Sequence, residues 1–412
     1  MVAKLSVRSP VHRISAASII HTNAWDIEMH HYLTASSREV QFAASQSLTS
    51  FGRSPDALGT VLMRAACSNN SSSATAVLHS LLALSSLHRH GVQSQAMKLK
   101  ISSLKALAAA SVAENSLDLE LVIQHVATGM LLCSFEVHQA SCTSSQWAVY
   151  LAGVKQLLSA SSLEKPQEHE DLAVLLDWVY YHDVMMRFTL RHWNGEAMVL
   201  PSNTTSAWTL LCSYTQVFVE QLPKIDLKRS CISQQPSSTS ALPELLSEFC
   251  ELMPGQAIDD HKSILKALDW RIRTVPVLLK PDEAAKMMTI IELYRLAALV
   301  YIHRASSNLL NQESQAQRDI DEGFMLLSKM DACERQFPIF VLGCEARTDG
   351  QRKIIMDLIL RTEKRVTSRS FNHVTALLHA VWAQDDLADV QINYGNKLTA
   401  VISRCAIVPS LV

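Results

Sequence analysis

The chain has 412 residues, 48% of them hydrophobic and 18% charged, with a formal net charge of -2. That balance is too apolar for a disordered chain, and it provides no overall attraction to a polyanion such as nucleic acid. Only 11 glycines and 12 prolines are present, too few to punctuate an all-β protein. The expected fold class is therefore all-α, a large irregular multi-helix bundle of roughly a dozen or more helices.

Residues 1–20 contain Lys4, Arg8 and Arg13 and no acidic residue. They read as a basic, flexible lead-in, with the helical domain expected over 21–412. A mitochondrial presequence shares this bias, whereas a secretory h-region is missing. The polar run Asn69-Asn70-Ser71-Ser72-Ser73 supplies capping residues, and Val77, Leu78, Leu81, Leu82 and Ser85 then follow the spacing of a buried helical face. The next helix is expected over about 93–113, with Met97, Ile101, Leu104 and Ala108 inward and Lys98 and Lys105 in water.

Asp118 is placed to cap a third helix carrying Val122, Val126, Gly129 and Cys133 on one stripe, where Gly129 admits a close neighbour. A fourth runs through Trp147, Leu151, Val154 and Leu158. Pro166 breaks the pattern, which resumes over 171–190 through Leu172, Leu175, Leu176, Val179 and Asp183. The Ser- and Pro-rich stretch at about 227–243 has the composition of an internal loop. Beyond it, helices are expected at 258–275, 282–310, 315–333, 350–366, 371–388 and 390–405, the first two bounded by Pro276 and Pro281. No fixed-period repeat supports a regular solenoid.

The longest strictly apolar run, Leu296 to Ile302, is far below the roughly 20 residues needed to cross a bilayer, so no membrane partner is expected. Nine cysteines are scattered without a C-x-x-C, which fits reduced core thiols rather than a disulfide framework or a zinc finger.

The sharpest enzymatic lead is Asp385-Asp386-Leu387-Ala388-Asp389, a D-D-x-x-D string of the kind that binds magnesium diphosphate in helical isoprenoid synthases, since magnesium needs paired oxygens. The required second acidic helix is not matched: Asp259-Asp260-His261-Lys262-Ser263 is followed by Ala267 where an acid should fall. Histidines at His30-His31, His88 with His90, and His182-Asp183 are one or two residues apart. They leave different sides of a helix and do not form the i, i+4 face of H-E-x-x-H. No P-loop, G-x-S-x-G or G-x-G-x-x-G occurs. The expectation is no catalytic residue, no cofactor and no metal. The aromatic group Trp147, Tyr150, Trp178, Tyr180, Tyr181, Phe188 and Trp193 is expected to pack between helices, the other reading being a pocket for an apolar effector.

Several strings in order carry a family resemblance. They are Leu81 to His88; Trp147 to Leu158; Tyr180-Tyr181-His182-Asp183-Val184; Val300-Tyr301-Ile302-His303-Arg304; Gly343-Cys344-Glu345-Ala346-Arg347 with Arg352; and Val381-Trp382 with Asp385. Together they resemble the fungal-specific transcription factor domain, the helical regulatory region that follows the binuclear zinc cluster of fungal activators. The chain departs from the family's full pattern in having no cysteine before Cys67. The resemblance implies a nuclear transcription regulator of nutrient or secondary-metabolite genes. Its expected partners are other transcription factors or coregulators and a small apolar effector, with DNA contact only through a zinc cluster upstream or in a partner. The alternatives are a helical isoprenoid-type enzyme using Asp385, Asp386 and Asp389, and an adaptor outside transcription.

Overall fold

A computed structural model describes Leu48 and residues 55–113, 118–139, 145–161, 169–193, 241–251, 258–276, 284–307, 309–365, 371–388, 392–405 and 408–412. Among these residues there are fourteen helices and no strand, the all-α architecture expected from the composition. An N-terminal group comprises α1 (Pro55–Cys67), α2 (Ser72–His90), α3 (Ser94–Ala113), α4 (Leu119–His138) and α5 (Gln146–Ala160). After α6 (Glu170–His192) come α7 (Ala241–Glu251), α8 (Ile258–Thr274), α9 (Ala284–Ala305) and α10 (Glu313–Lys329). The chain ends with α11 (Gln336–Gly343), α12 (Asp349–Arg365), α13 (Asn372–Leu387) and α14 (Tyr394–Ile402). The first five helices pack on one another, and so do the last eight. Between the groups, α6 touches α1, α4 and α5 on one side and α7 and α14 on the other.

Helix boundaries follow local chemistry. The Ser71 hydroxyl accepts the Ala74 amide at 3.1 Å and the Asp118 carboxylate accepts the Leu121 amide at 2.8 Å. Each cap satisfies an N–H that the first turn leaves without a helical partner. The stripes read from spacing on α2, α4, α5 and α6 are the ones that face the core, including Val77, Val122, Val126, Leu151, Leu172 and Val179. At Gly129 an added Cβ would meet Val154 Cγ2 at 2.4 Å, so the missing side chain sets how closely α4 and α5 approach. Helix α4 is long and apolar enough to suit a membrane, but 89% of that stretch is buried inside the fold, which identifies a core helix.

The buried face of α3 differs from the expected one. Ile101 and Ala108 are exposed, while Ala96, Leu99, Ser103 and Ala110 are buried. Small side chains at 96, 103 and 110 let α3 lie close on α2, where Ser103 Oγ donates to the Ala76 carbonyl at 2.9 Å. Lys100 joins this face because its ammonium pairs with Glu136 and donates to Gln146 Oε1 at 3.2 Å, which compensates its desolvation. Three helices, α1, α7 and α11, lie outside the expected set. Pro55 opens α1, and all eight residues of α11 are buried, so α11 shows no alternation from which a face could be read. The expected loop lies outside the described residues as far as Ser240. Its last three positions open α7, with Pro243 in the first turn, where a missing N–H costs little. The expected lead-in 1–20 and the break at Pro166 also lie outside the described residues.

At the end of α6, His192 is buried with Nε2 2.8 Å from the Tyr301 hydroxyl of α9 and Nδ1 3.2 Å from the Thr399 hydroxyl of α14. Burial, and then the neighbouring Arg191 cation, lower its pKa from 6.5 to about 3. Between those values the unfolded chain binds a proton that the folded chain refuses. The folded state is therefore most favoured above pH 6.5 and loses stability as pH falls toward 3. Denaturant titrations across this range should show wild type losing up to about 1.4 kcal/mol per pH unit more than H192Q. Parallel acid limbs would show that His192 is not the source.

Candidate functional site

The strings that carry the family resemblance lie far apart in sequence, and all but Leu81 to His88, which packs within the N-terminal group, meet in two places. The first is around α6. Asp183 is almost fully buried and accepts Lys155 Nζ of α5 on one oxygen and Arg187 Nη2 on the other, both at 2.6 Å. Arg187 continues to Glu251 and, at 3.3 Å, to Ser247 Oγ, both on α7. Aromatic rings extend the seam. Phe188 meets Tyr301 edge-to-face at 4.8 Å and Phe337 at 5.0 Å, and the Tyr181 hydroxyl is hydrogen-bonded to that of Tyr294. Trp147 Nε1 donates to the Val408 carbonyl at 3.0 Å, and Trp193 Nε1 to that of Cys405 at 3.3 Å. Trp147, Trp178, Tyr181, Phe188 and Trp193 are thus buried in packing, as the first of the two sequence readings has it.

The second meeting place is a cleft of about 260 Å³ lined by the end of α9, the turn after α11 and the start of α14. Arg304 closes α9. Its Nε donates to Glu345 Oε2 at 3.1 Å and its Nη1 to the exposed Glu313 at 2.6 Å. Lys397 of α14 is buried and donates to both oxygens of Asp385 at 3.1 Å, while Arg347 lies 3.2 Å from the same carboxylate. The Lys397 ammonium also sits 5.6 Å from the centre of the Tyr394 ring. Ser307 has φ +54°, outside the helical range, and its Oγ accepts the Asn393 side-chain amide at 2.7 Å. Burial holds the Glu345 carboxyl above its ordinary 4.5, outweighing the opposing pull of Arg304 first and then Arg347 and Lys397. Burial likewise raises the Tyr394 phenol well above 10.

The strings weighed for metal chemistry are placed differently. Asp385 is held by Lys397 and Arg347, and Asp386 by both terminal nitrogens of Arg352 at 2.8 and 2.6 Å. Adjacent aspartates so engaged present no shared pair of free oxygens. Asp389 and the side chains of Asp259 and Asp260 lie outside the described residues. His182 Nδ1 is 3.1 Å from the Trp178 carbonyl, and the His88 ring lies 5.4 Å from that of His138. His30 and His31 lie outside the described residues. Among the described residues, no group of three or more His, Cys, Asp or Glu is arranged to hold a metal ion. Spacing misses the charged network at the cleft, because Arg304, Glu345, Asp385 and Lys397 follow no local pattern. The family-like strings mark the first three, Asp385 being marked by the D-D-x-x-D string as well, and nothing marks Lys397.

Removing one partner of a buried pair strands the other, whereas loss of an exposed partner leaves its mate solvated. D385A should therefore lower stability by about 3–5 kcal/mol, since it leaves Lys397 buried without its carboxylate. D386A should stay close to wild type in the same denaturant titration. Equal losses at the two positions would contradict this placement.

The model of the fungal specific transcription factor domain matches residues 29–401, so it covers α6 and every residue of the cleft. Among curated proteins, transcription factor iacI of Pestalotiopsis fici is 45% identical over 379 residues, covering 90% of this chain and 92% of that protein. No solved structure matches. A match of that extent, over an all-helical fold in which the resembling strings converge, shows that the chain belongs to the fungal-specific transcription factor domain family.

Proposed function

We propose that this fungal transcription regulator acts in the nucleus on a coherent set of genes, working through other transcription factors or coregulators. The observation that carries the reading is the family match across 29–401, supported by a relative of 45% identity that is itself a transcription factor. The formal net charge of -2 and the lack of any C-x-x-C leave DNA contact to a zinc cluster elsewhere, in further sequence of this protein or in a partner. The helical domain would then shift between two arrangements when the cleft or a partner surface is occupied. Nutrient or secondary-metabolite genes are the targets that the resemblance implies. The seam at Asp183 and the paired Asp385 and Asp386 support a regulatory scaffold over an isoprenoid-type enzyme, because these carboxylates are engaged by cations of the fold.

Three measurements test this. The chain tagged with a fluorescent protein should concentrate in fungal nuclei, and its deletion should change a related set of transcripts several-fold. Fused to a heterologous DNA-binding domain, it should move a reporter several-fold in either direction. Nuclear exclusion with an unchanged transcript profile and a silent reporter would sink the proposal in favour of an adaptor outside transcription.

A further inference from the structure

The Arg304–Glu345–Lys397 cleft contains more polar capacity than the protein itself uses. Glu345 Oε1 and the Tyr394 hydroxyl are buried without a hydrogen-bond partner, although their residues are only 3% and 6% exposed and both line the cleft. Leaving buried polar atoms unpaired is costly, and native folds keep few of them. Here two occur under one cleft, whose volume corresponds to about eight or nine waters at liquid density.

Charge and placement specify what would satisfy them. Three cations, Arg304, Arg347 and Lys397, stand against the carboxylates Glu345 and Asp385 and, at the exposed edge, Glu313. The cluster is neutral with every pair in place, and one positive charge is left inside it when the exposed Glu313 leaves Arg304. Arg347 is half-exposed at the rim with one ion pair at 3.2 Å, so its planar guanidinium still has donors for a carboxylate. Glu345 Oε1 calls for a donor, and Tyr394 supplies one and can also accept. Both atoms are shut off from bulk water, and Arg304, which holds the other oxygen of Glu345, is also tied to the exposed Glu313 by a pair of a kind that holds weakly.

We infer that this cleft binds a compact organic carboxylate bearing a hydroxyl or amino donor, with the carboxylate on Arg347 and the donor on Glu345, entering as Arg304 releases Glu313. This deepens the regulatory reading and rests on it only for the consequence in the cell. Binding itself is a property of the purified chain.

The test is a thermal-shift and calorimetric titration of the purified full chain with glycerate and with serine. Propionate serves as a carboxylate without the donor and glycerol as donors without the carboxylate. Saturable stabilisation by glycerate or serine, with at least ten-fold weaker binding of propionate and glycerol, is the expected result. R347M and E345Q should each weaken binding ten-fold or more. R347M alters a half-exposed side chain, so a wild-type-like melting curve without ligand separates lost binding from lost folding. Three outcomes overturn the inference: no probe shifts folded wild type at millimolar concentration, propionate or glycerol binds as well as the bifunctional acids, or binding survives in R347M and E345Q. Binding with a silent reporter would instead sink the transcriptional reading and leave the site standing.

Discussion

The two helix groups are held in one register by a carboxylate that has almost no access to water. Asp183 receives Lys155 from α5 and Arg187 from its own helix, and Arg187 passes the connection on to α7. A buried ionic centre of this sort is a poor source of net stability, because the desolvation of three charges offsets most of their attraction. Its effect is geometric. A slide of α6 by one residue would separate Asp183 from Lys155 and leave charges unpaired in the interior, so the alternatives are penalised more than the native state is favoured. Every contact between the N-terminal and C-terminal groups that passes through α6 inherits that register.

The aromatic seam depends on it directly. With Asp183 fixed, Tyr181 and Phe188 fall two residues before and five after it, and they meet Tyr294 and Tyr301 on α9. The end of the chain returns to the same region. Val408 accepts Trp147 and donates its amide to Ser145 Oγ at 3.2 Å, while Leu411 and Val412 are fully buried. Residues more than 260 positions apart thereby close on each other. Such long-range closure uses the indole N–H groups of Trp147 and Trp193 as fixed points, each donating to a carbonyl near the end of the chain.

What could be read from the sequence divides along physical lines. Helices with one wet face announce themselves through spacing, which is why α5 and α6 fall where their stripes place them, and α4, though mostly buried, is long enough and capped clearly enough at Asp118 to be placed as well. Helix α11 hides because it is dry on every side, and a run of apolar residues that short has no distinguishing period. On α3 the rule of burying the largest residues points to the wrong face, because Ala96, Ser103 and Ala110 form the side that lies against α2 and Ile101 is left exposed. Of the charged residues at the cleft, Arg304, Glu345, Arg347 and Asp385 are legible as members of family-like strings, and Lys397 is not legible at all. Their pairing joins Arg304 to Glu345 and Arg347 to Asp385 across tens of residues, and no local pattern encodes a partner at that distance. The D-D-x-x-D string misleads for the same reason. Its meaning depends on what faces it, and Arg352 and Lys397 are what face it.

The seam and the cleft share a point of contact. His192 ends α6 and touches Tyr301, one turn before Arg304 on α9, and Thr399, two residues after Lys397 on α14. One imidazole thus bears on both walls of the cleft. A close-packed interior cannot absorb a change in the spacing of α9 and α14 without moving the groups between them. Proximity alone is not coupling, because a ligand shifts an equilibrium only by its difference in affinity for two arrangements. In the closed arrangement Glu345 Oε1 and the Tyr394 hydroxyl are unpaired, and in an arrangement opened to a polar ligand they are not. That difference is of the required kind, and it is located where α6 ends, so the helix that fixes the register of the fold is also the one placed to feel the cleft open.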